Sequence, residues 1–164
     1  MAVKYSLVVP IYNDAYLATD FCRETHRVMA TFLAGQELGE VFELVFVNDG
    51  SKGDSLDKLR ALLPQWPFVQ VIDLSRNFGQ HAAIACGLAA ARGEVVLRMN
   101  VDMQDPPSEI PKLLKEMEAG DFDLVVGQYA TRQSPPINRL TAWLYFKLFK
   151  ALTGFQTPQN TAPL

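Results

Sequence analysis

The chain has 164 residues, 49% of them hydrophobic, which is enough for one compact domain with a substantial core. A net charge of −3 at pH 7 and a pI near 5.3 argue against a nucleic-acid-binding protein, which would carry a basic surface. The two cysteines, Cys22 and Cys86, are far apart, so they indicate neither a disulfide framework nor a zinc site, and a reduced, cytosolic setting is expected.

Strand and helix patterns alternate along the chain. Short apolar, β-branched runs predict strands, and longer runs with apolar residues three or four apart predict helices. Such an alternation indicates an α/β fold with a mostly parallel sheet and helices on both faces. In chain order, we expect a strand at 5–10, a helix at 14–33, a strand at 41–47, a helix at 54–63, a strand at 68–74, a helix at 79–91, a strand at 94–99, a helix at 108–119 and a strand at 122–128.

Polar residues follow each of the first four predicted strands. Ligands of parallel α/β sheets bind at the carboxyl ends of the strands, so these four loops predict a binding site at one edge. The clusters are Tyr12, Asn13 and Asp14; Asn48 to Ser51; Ser75, Arg76 and Asn77; and Asn100 to Asp105.

The loop after the first strand, "PIYND", contains no glycine. A dinucleotide-binding Rossmann unit needs glycines there, so that the backbone can approach a pyrophosphate. A Walker A lysine loop is also absent from the sequence. The charge of a phosphate ligand would then be neutralised by a divalent cation held by carboxylates.

The stretch "NVDMQDPP" is the predicted cation site. If it is extended, the side chains of Asn100, Asp102 and Gln104 point the same way and offer hard oxygen ligands that suit Mg²⁺ or Mn²⁺. An equally good alternative is that Asp102 and Asp105 only cap the helix that begins after Pro107.

Two further residues, Asp49 and Arg76, have both a functional and an ordinary interpretation, and a third, Arg98, calls for a partner. Asp49 could accept a hydrogen bond from a nucleobase or ribose hydroxyl, or it could belong to a strand-to-helix turn. Arg76 could contact a phosphate, or it could be a surface cation. Arg98, near the end of an apolar strand, is expected to have a carboxylate partner.

Four stretches of the chain, taken in order and with their spacing, form a recognisable set. They are "SLVVPIYND", "ELVFVNDGSKGDSL", "IDLSRNFGQHAAIACGLAAARGEVVLRMNVDMQDPPSEIPKLL" and "DLVVGQYATR". The combination of "LSRNFG" with "QDPP" is more specific than any single motif. Together they resemble family 2 glycosyltransferases of the GT-A fold, and the similarity is greatest to the dolichyl- and polyprenyl-phosphate sugar transferase branch. The resemblance covers roughly residues 4–132.

The resemblance implies a GT-A, Rossmann-like catalytic domain at 1–132, followed at 133–164 by a mobile loop and an amphipathic helix that leads to a membrane region beyond this chain. It implies an inverting, metal-dependent hexosyltransferase of cell-envelope glycan synthesis. The donor would be a UDP- or GDP-sugar, and the acceptor a polyprenyl phosphate or a glycan. The enzyme would work at the cytosolic face of the membrane, and its oligomeric state is open.

The resemblance also implies site residues by position. Asp102, Arg76 and Arg132 would be catalytic, and Asp102 and Gln104 would bind Mg²⁺ or Mn²⁺. The residues expected to bind the nucleotide sugar are Pro10, Tyr12, Asn13, Asp49, Ser51, Arg76, Gln80 and Asn100.

The chain departs from the family pattern at two places. Asn100 stands where the family usually has the first aspartate of its Asp-x-Asp motif, and the chain ends in "NTAPL" where a Gly-Asp-Phe-Arg-type element usually follows. Two alternatives therefore stay open: a sugar-nucleotide-binding domain with impaired catalysis, and a family 2 transferase that acts on a sugar hydroxyl.

The C-terminal part has a different charge from the rest. Up to Asp123 the chain has 18 acidic and 11 basic residues, a net −7, whereas residues 124–164 have four basic residues and no acidic one. The aromatic and basic pattern at 138–155 predicts a helix that lies on an anionic membrane surface. The alternative is a core or oligomer-interface helix.

Overall fold

The computed structural model describes residues 3–127. The chain divides into two compact units, Met1–Leu114 and Lys115–Leu164. None of the helices among the described residues is long and apolar enough to cross a membrane.

The predictions for residues 128–164 lie outside this described range and stay predictions. They concern the domain boundary after residue 132, the role of Arg132, and the amphipathic helix at 138–155.

The observed elements follow the predicted order, with ends that differ by a few residues. A single 3₁₀ turn precedes the first long helix at Ala15–Leu17, and another precedes the last helix at Pro107–Glu109. The elements are β1 (Tyr5–Ile11), α1 (Ala18–Phe32), α2 (Leu38–Val41), β2 (Phe42–Asn48), α3 (Ser55–Arg60), β3 (Val69–Asp73), α4 (Gln80–Ala90), β4 (Val95–Arg98) and α5 (Ile110–Ala119).

The four strands form a parallel sheet in the order β3-β2-β1-β4. In the pairing of β1 with β2, Tyr5 lies opposite Phe42 and Ile11 lies opposite Asn48. All four strands therefore end at one edge of the sheet, as the sequence predicts. We call it the carboxyl edge.

Helices cover both faces of the sheet, because successive side chains of a strand point to opposite faces. On one face, Leu7 and Val9 of β1 belong to a large buried cluster that includes Phe21 of α1. On the other, Val8 of β1 is buried with Ala83 of α4. The near-continuous apolar strands predicted this double-sided burial.

Helix α4 packs closely on its face of the sheet, and Gly87 makes this possible. A Cβ atom at Gly87 would overlap the side chains of Val8 and Val47. The small residues of the predicted helix thus have a packing role: they bring the first residue of α4, Gln80, to the carboxyl edge.

A buried carboxylate joins the strands at the opposite edge, where they begin. Glu43 is 2% exposed and accepts hydrogen bonds from Ser6 Oγ at 2.6 Å, Gln70 Nε2 at 2.6 Å and Arg92 Nε at 2.8 Å. Burial disfavours its charged form, but the hydrogen bonds from Ser6 and Arg92 and the Arg92 charge hold the pKa of Glu43 below its ordinary value.

One predicted element is wrong, and one observed helix was not predicted. Residues 122–127 form no strand, although a strand is predicted at 122–128. The side chains of Phe122 and Leu124 are 56% and 71% exposed, so no strand or helix within residues 3–127 buries these two apolar side chains. The short helix α2, directly before β2, is not predicted, because four residues carry no periodic signal.

Candidate active site

A cleft of about 440 Å³ lies at the carboxyl edge of the sheet, within the first unit. The loops that follow β1, β2, β3 and β4 all contribute to it, in agreement with the polar clusters of the sequence. Its lining residues are Pro10, Ile11, Tyr12, Asp14, Asp49, Asn77, Gln80, Asn100, Val101 and Asp102.

Asp49 lies at the buried base of this cleft. It is 2% exposed, and its two carboxylate oxygens accept hydrogen bonds from the backbone N–H groups of Phe78 at 2.8 Å and Gly79 at 3.0 Å. Asp49 thus lines the cleft wall and also holds the loop before α4, and its predicted contact with a nucleobase or ribose stays a prediction.

Gly50 brings the two loops together. Its φ of +61° is a conformation that side-chain-bearing residues rarely adopt, and a Cβ atom there would overlap the backbone of Arg76 and Asn77. The turn signal "NDG" thus has a specific reason, because only glycine lets the β2 loop lie against the β3 loop.

Asn13 and Ser51 connect the loops after β1 and β2. The Asn13 backbone N–H donates to Ser51 Oγ at 2.9 Å, and Asn13 Oδ1 accepts from the Lys52 N–H at 3.0 Å. Neither side chain lines the cleft. Each side chain is engaged by the neighbouring loop in this way, and the expectation that both bind the nucleotide sugar stays a prediction.

The segment after β4 is not extended, which corrects the geometry expected for the cation site. Met103 has a φ of +56°, and Asp102 Oδ1 accepts from the Gln104 backbone N–H at 3.1 Å, as in a tight turn. Asn100 and Asp102 line the cleft, but Gln104 does not. The turn breaks the two-residue alternation, and the predicted role of Gln104 as a metal ligand stays a prediction.

Asn100 is held by its side-chain oxygen. Asn100 Oδ1 accepts from Arg98 Nη2 at 2.7 Å and from Gln80 Nε2 at 3.2 Å. Burial lowers the pKa of Arg98, while the charges of Asp105 and Asp102 oppose this shift. The expectation that Arg98 has carboxylate neighbours is thus confirmed.

Arg76 is near the cleft but does not line it. Its guanidinium carbon lies 4.5 Å from the ring centre of Phe78, a side chain that is 50% exposed. This cation–π contact places the charge of Arg76 on the loop that Asp49 holds.

The lining residues are acidic on balance. Asp14, Asp49 and Asp102 line the cleft, and none of its described lining residues is Lys or Arg. A bound diphosphate would be repelled by these carboxylates unless a cation accompanied it. This charge distribution favours a cation in the cleft, with or without an anionic ligand bound to that cation.

The donor set fits a divalent cation shared with a ligand. Among the described residues there is no group of three His, Cys, Asp or Glu that would hold a metal ion by itself. Mg²⁺ commonly takes only one or two protein carboxylates and completes its shell with water and substrate phosphates. Asp102, exposed in the cleft, is the carboxylate suited to this arrangement.

The structure brings together six of the predicted site residues: Pro10, Tyr12, Asp49, Gln80, Asn100 and Asp102. It places Asn13, Ser51, Arg76 and Gln104 outside the lining. Sequence reasoning missed the lining residues Ile11, Asp14, Asn77 and Val101, although Asp14 and Asn77 belong to the polar clusters that mark the strand ends.

The chain has a GT-A fold. It superposes with a TM-score of 0.61 on the mannosyltransferase PcManGT from Pyrobaculum calidifontis in complex with GDP-Man and Mn²⁺, at 18% identity over 80% of this chain and 36% of that one. It superposes with a TM-score of 0.55 on S. aureus TarS 1–349 in complex with UDP, at 22% identity over 81% of this chain and 38% of that one. At such identities the likeness concerns the fold alone.

The chain belongs to glycosyl transferase family 2, whose sequence profile matches residues 6–163. It is 42% identical over 151 residues to the undecaprenyl-phosphate 4-deoxy-4-formamido-L-arabinose transferase of Pseudomonas syringae pv. syringae (strain B728a), covering 91% of this chain and 42% of that protein. It is 32% identical over 160 residues to the uncharacterized glycosyltransferase YkcC of Bacillus subtilis (strain 168), covering 97% of this chain and 47% of that protein. The chain thus spans less than half the length of these relatives.

Proposed function

We propose that this chain is the donor-binding and catalytic part of a glycosyltransferase that moves a sugar from a UDP- or GDP-sugar to a polyprenyl phosphate. This proposal rests on one observation: Asp49, Asn100 and Asp102 all line one cleft at the carboxyl edge of the sheet. The 42% identity to a protein named as an undecaprenyl-phosphate sugar transferase supports the acceptor class.

The proposed reaction is a single displacement with inversion at the sugar C1. A phosphate oxygen of the acceptor forms a bond to C1, while the bond from C1 to the nucleoside diphosphate breaks and the diphosphate leaves with the bonding electrons. No proton has to be removed, since a phosphate monoester has a second pKa of about 6 and is anionic near pH 7. Catalysis then depends on positioning and on charge neutralisation.

The residues of the cleft would have different roles in this reaction. Pro10 and Tyr12, at the end of β1, would form the wall for the nucleoside, with Asp49 at its base. Asp102 would hold the divalent cation, which when bound supplies positive charge at the leaving diphosphate. Asp102 thereby fixes the donor phosphates at the end of β4.

The basic residues outside the lining would serve the acceptor. Arg76, which lies against Phe78 on the loop held by Asp49, would contact an acceptor phosphate at the rim. Arg132 keeps the role implied by the family resemblance, as a cation of the segment that follows the described residues. A lipid acceptor puts the reaction at a membrane surface, which we propose is the cytoplasmic face, within cell-envelope glycan synthesis.

An acceptor-dependence assay tests the proposal. The chain is incubated with Mn²⁺, undecaprenyl phosphate and a panel of UDP- and GDP-hexoses, and release of UDP or GDP is measured. We expect release that requires the lipid phosphate and is lost in Asp102→Ala. Release with a glycan acceptor but not with the lipid would instead identify a hydroxyl-directed transferase.

A second candidate function is a sugar-nucleotide-binding domain with little turnover. The observation that favours it is Asn100, which places a neutral amide where the family usually has a carboxylate. Nucleotide binding without acceptor-dependent release, followed by a gain of release in Asn100→Asp, would support this candidate over the transferase.

A further inference from the structure

The side chain of Asn100 is fixed from two sides at the wall of the cleft. Arg98 Nη2 lies 2.7 Å from Asn100 Oδ1, and Gln80 Nε2 lies 3.2 Å from the same atom. Asn100 is half-buried, and both Asn100 and Gln80 line the cleft. The orientation of this amide therefore determines what the wall offers to a ligand.

The chemistry of the three side chains assigns the amide orientation. A guanidinium has only donors, so the Asn100 atom that faces Arg98 must be the oxygen. The Gln80 atom that approaches this oxygen must then be a donor, which is the Gln80 nitrogen. Both acceptor positions of Asn100 Oδ1 are occupied, and the group left for a ligand is the Asn100 NH₂.

The positive charge of Arg98 determines how a side chain at position 100 can interact. An arginine stays protonated in proteins, so Asn100 rests against a permanent cation that also interacts electrostatically with Asp102 and Asp105. A carboxylate at position 100 would form an ion pair with Arg98, which would neutralise the negative charge of the carboxylate. With asparagine, the same position leaves an NH₂ donor available, because its oxygen already accepts from Arg98 and Gln80.

We propose that Asn100 donates a hydrogen bond through its NH₂ group to an oxygen of the bound nucleoside diphosphate, and that Arg98 is the positioning residue that sets this orientation. The inference rests on the proposed nucleotide-sugar-dependent function and deepens it. The two residues of the Asn100–Asp102 motif then have different roles: Asp102 binds the cation, and Asn100 binds the nucleotide directly.

Nucleotide affinity in the absence of metal tests this assignment. The chain and its variants are titrated calorimetrically with UDP and with GDP in EDTA. Loss of one hydrogen bond to a charged ligand predicts a fall in affinity of about tenfold in Asn100→Ala, in Asn100→Asp and in Arg98→Met. Arg98→Lys, which keeps a cationic donor, should recover part of the loss. When Asn100→Ala is added to Arg98→Met, the nucleotide affinity should fall little further, because each substitution removes the same hydrogen bond to the nucleotide.

A spectroscopic readout separates positioning from folding. The side-chain NH₂ resonances of Asn100, assigned by their absence in Asn100→Asp, should shift when UDP or GDP is added in EDTA, and this shift should be lost in Arg98→Met. Arg92→Lys is the matched control: it lies at the opposite edge of the sheet, on Glu43, and should leave nucleotide affinity unchanged.

Different results would overturn the proposed function and the inference about Asn100. If the unaltered chain binds neither UDP nor GDP under any metal condition, the proposed function fails together with this inference. If it binds one of them while Asn100→Ala binds equally well, or while the Asn100 resonances do not move, only this inference is overturned. A rise in Mn²⁺ affinity without nucleotide in Asn100→Asp would also count against it, because the new carboxylate would then bind the cation and Arg98 would not control the side chain at position 100.

Discussion

Asp49 accepts a hydrogen bond from the backbone N–H of Gly79 at 3.0 Å, across a separation of 30 residues in the chain. Its other oxygen accepts from the Phe78 N–H at 2.8 Å. One buried carboxylate thus fixes the loop before α4 relative to the end of β2, and the cleft wall is built on that connection. The stability of the fold and the shape of the cleft are coupled at this residue.

Asp49→Asn tests this coupling. The asparagine keeps one acceptor oxygen but turns an NH₂ group toward a backbone donor, so one part-buried N–H, that of Phe78 or Gly79, loses its partner. We expect the free energy of unfolding to fall by about 1–3 kcal/mol, and affinity for UDP or GDP to fall with it. Urea denaturation and calorimetric titration measure the two effects. Asp54→Asn, an exposed substitution, is the control, and equal results for the two variants would refute the coupling.

Gly50→Ala tests the approach of the two loops. The new Cβ atom would meet the backbone of Arg76 and Asn77 in addition to the strain of a φ of +61°. Gly53→Ala is a matched control, since Gly53 has a φ of +68° but open space around its Cβ position. We expect Gly53→Ala to lower the free energy of unfolding by about 1–2 kcal/mol. Gly50→Ala should lower it by about 1–3 kcal/mol more. Equal unfolding free energies would show that the loops have room to separate.

The pH dependence of stability tests the Glu43 network at the other edge. Because the pKa of Glu43 is lower in the folded chain than in the unfolded chain, the unfolded state binds more protons between the two values. The contribution of Glu43 is therefore present above the unfolded-state pKa of about 4.3, and it is lost as the pH falls through the folded-state pKa. Urea midpoints measured from pH 3 to pH 7 should show this loss.

Glu43→Gln should flatten that profile and lower stability at pH 7, because Arg92 loses its charged partner. Glu24→Gln is the control: Glu24 also pairs with an arginine, Arg27, but on the exposed surface of α1, where such pairs contribute little. A profile in which both variants behave alike would mean that the buried network does not control acid stability.

The fold was largely predictable because its signals are local and strong. The apolar strands, the small-residue pattern around Gly87 and the turn signal at Gly50 each have a structural reason that acts over a short range. The predicted strand at 122–128 fails over its described residues for the opposite reason, since an apolar run becomes a strand only when a neighbour buries it. Glu43 gave no signal, because its partners Ser6 and Arg92 are distant in sequence.

The site was predictable in its location but not in its detail. Parallel strands must end at one edge, so the polar clusters had to meet there. The turn at Met103, which removes Gln104 from the cleft, and the contact between Arg98 and Asn100, which fixes the amide, both depend on side-chain and backbone geometry that residue spacing does not specify. The same holds for Asn13 and Ser51, whose side chains join loops.

The most direct test of the central claim is a calorimetric titration of this chain with UDP and GDP, with Mn²⁺ and with EDTA. The account predicts that one nucleotide binds, that Mn²⁺ raises its affinity by about tenfold or more, and that Asp102→Ala removes this increase while Asp54→Ala retains it. A failure to bind either nucleotide, or an Mn²⁺ effect that survives in Asp102→Ala, would contradict the account.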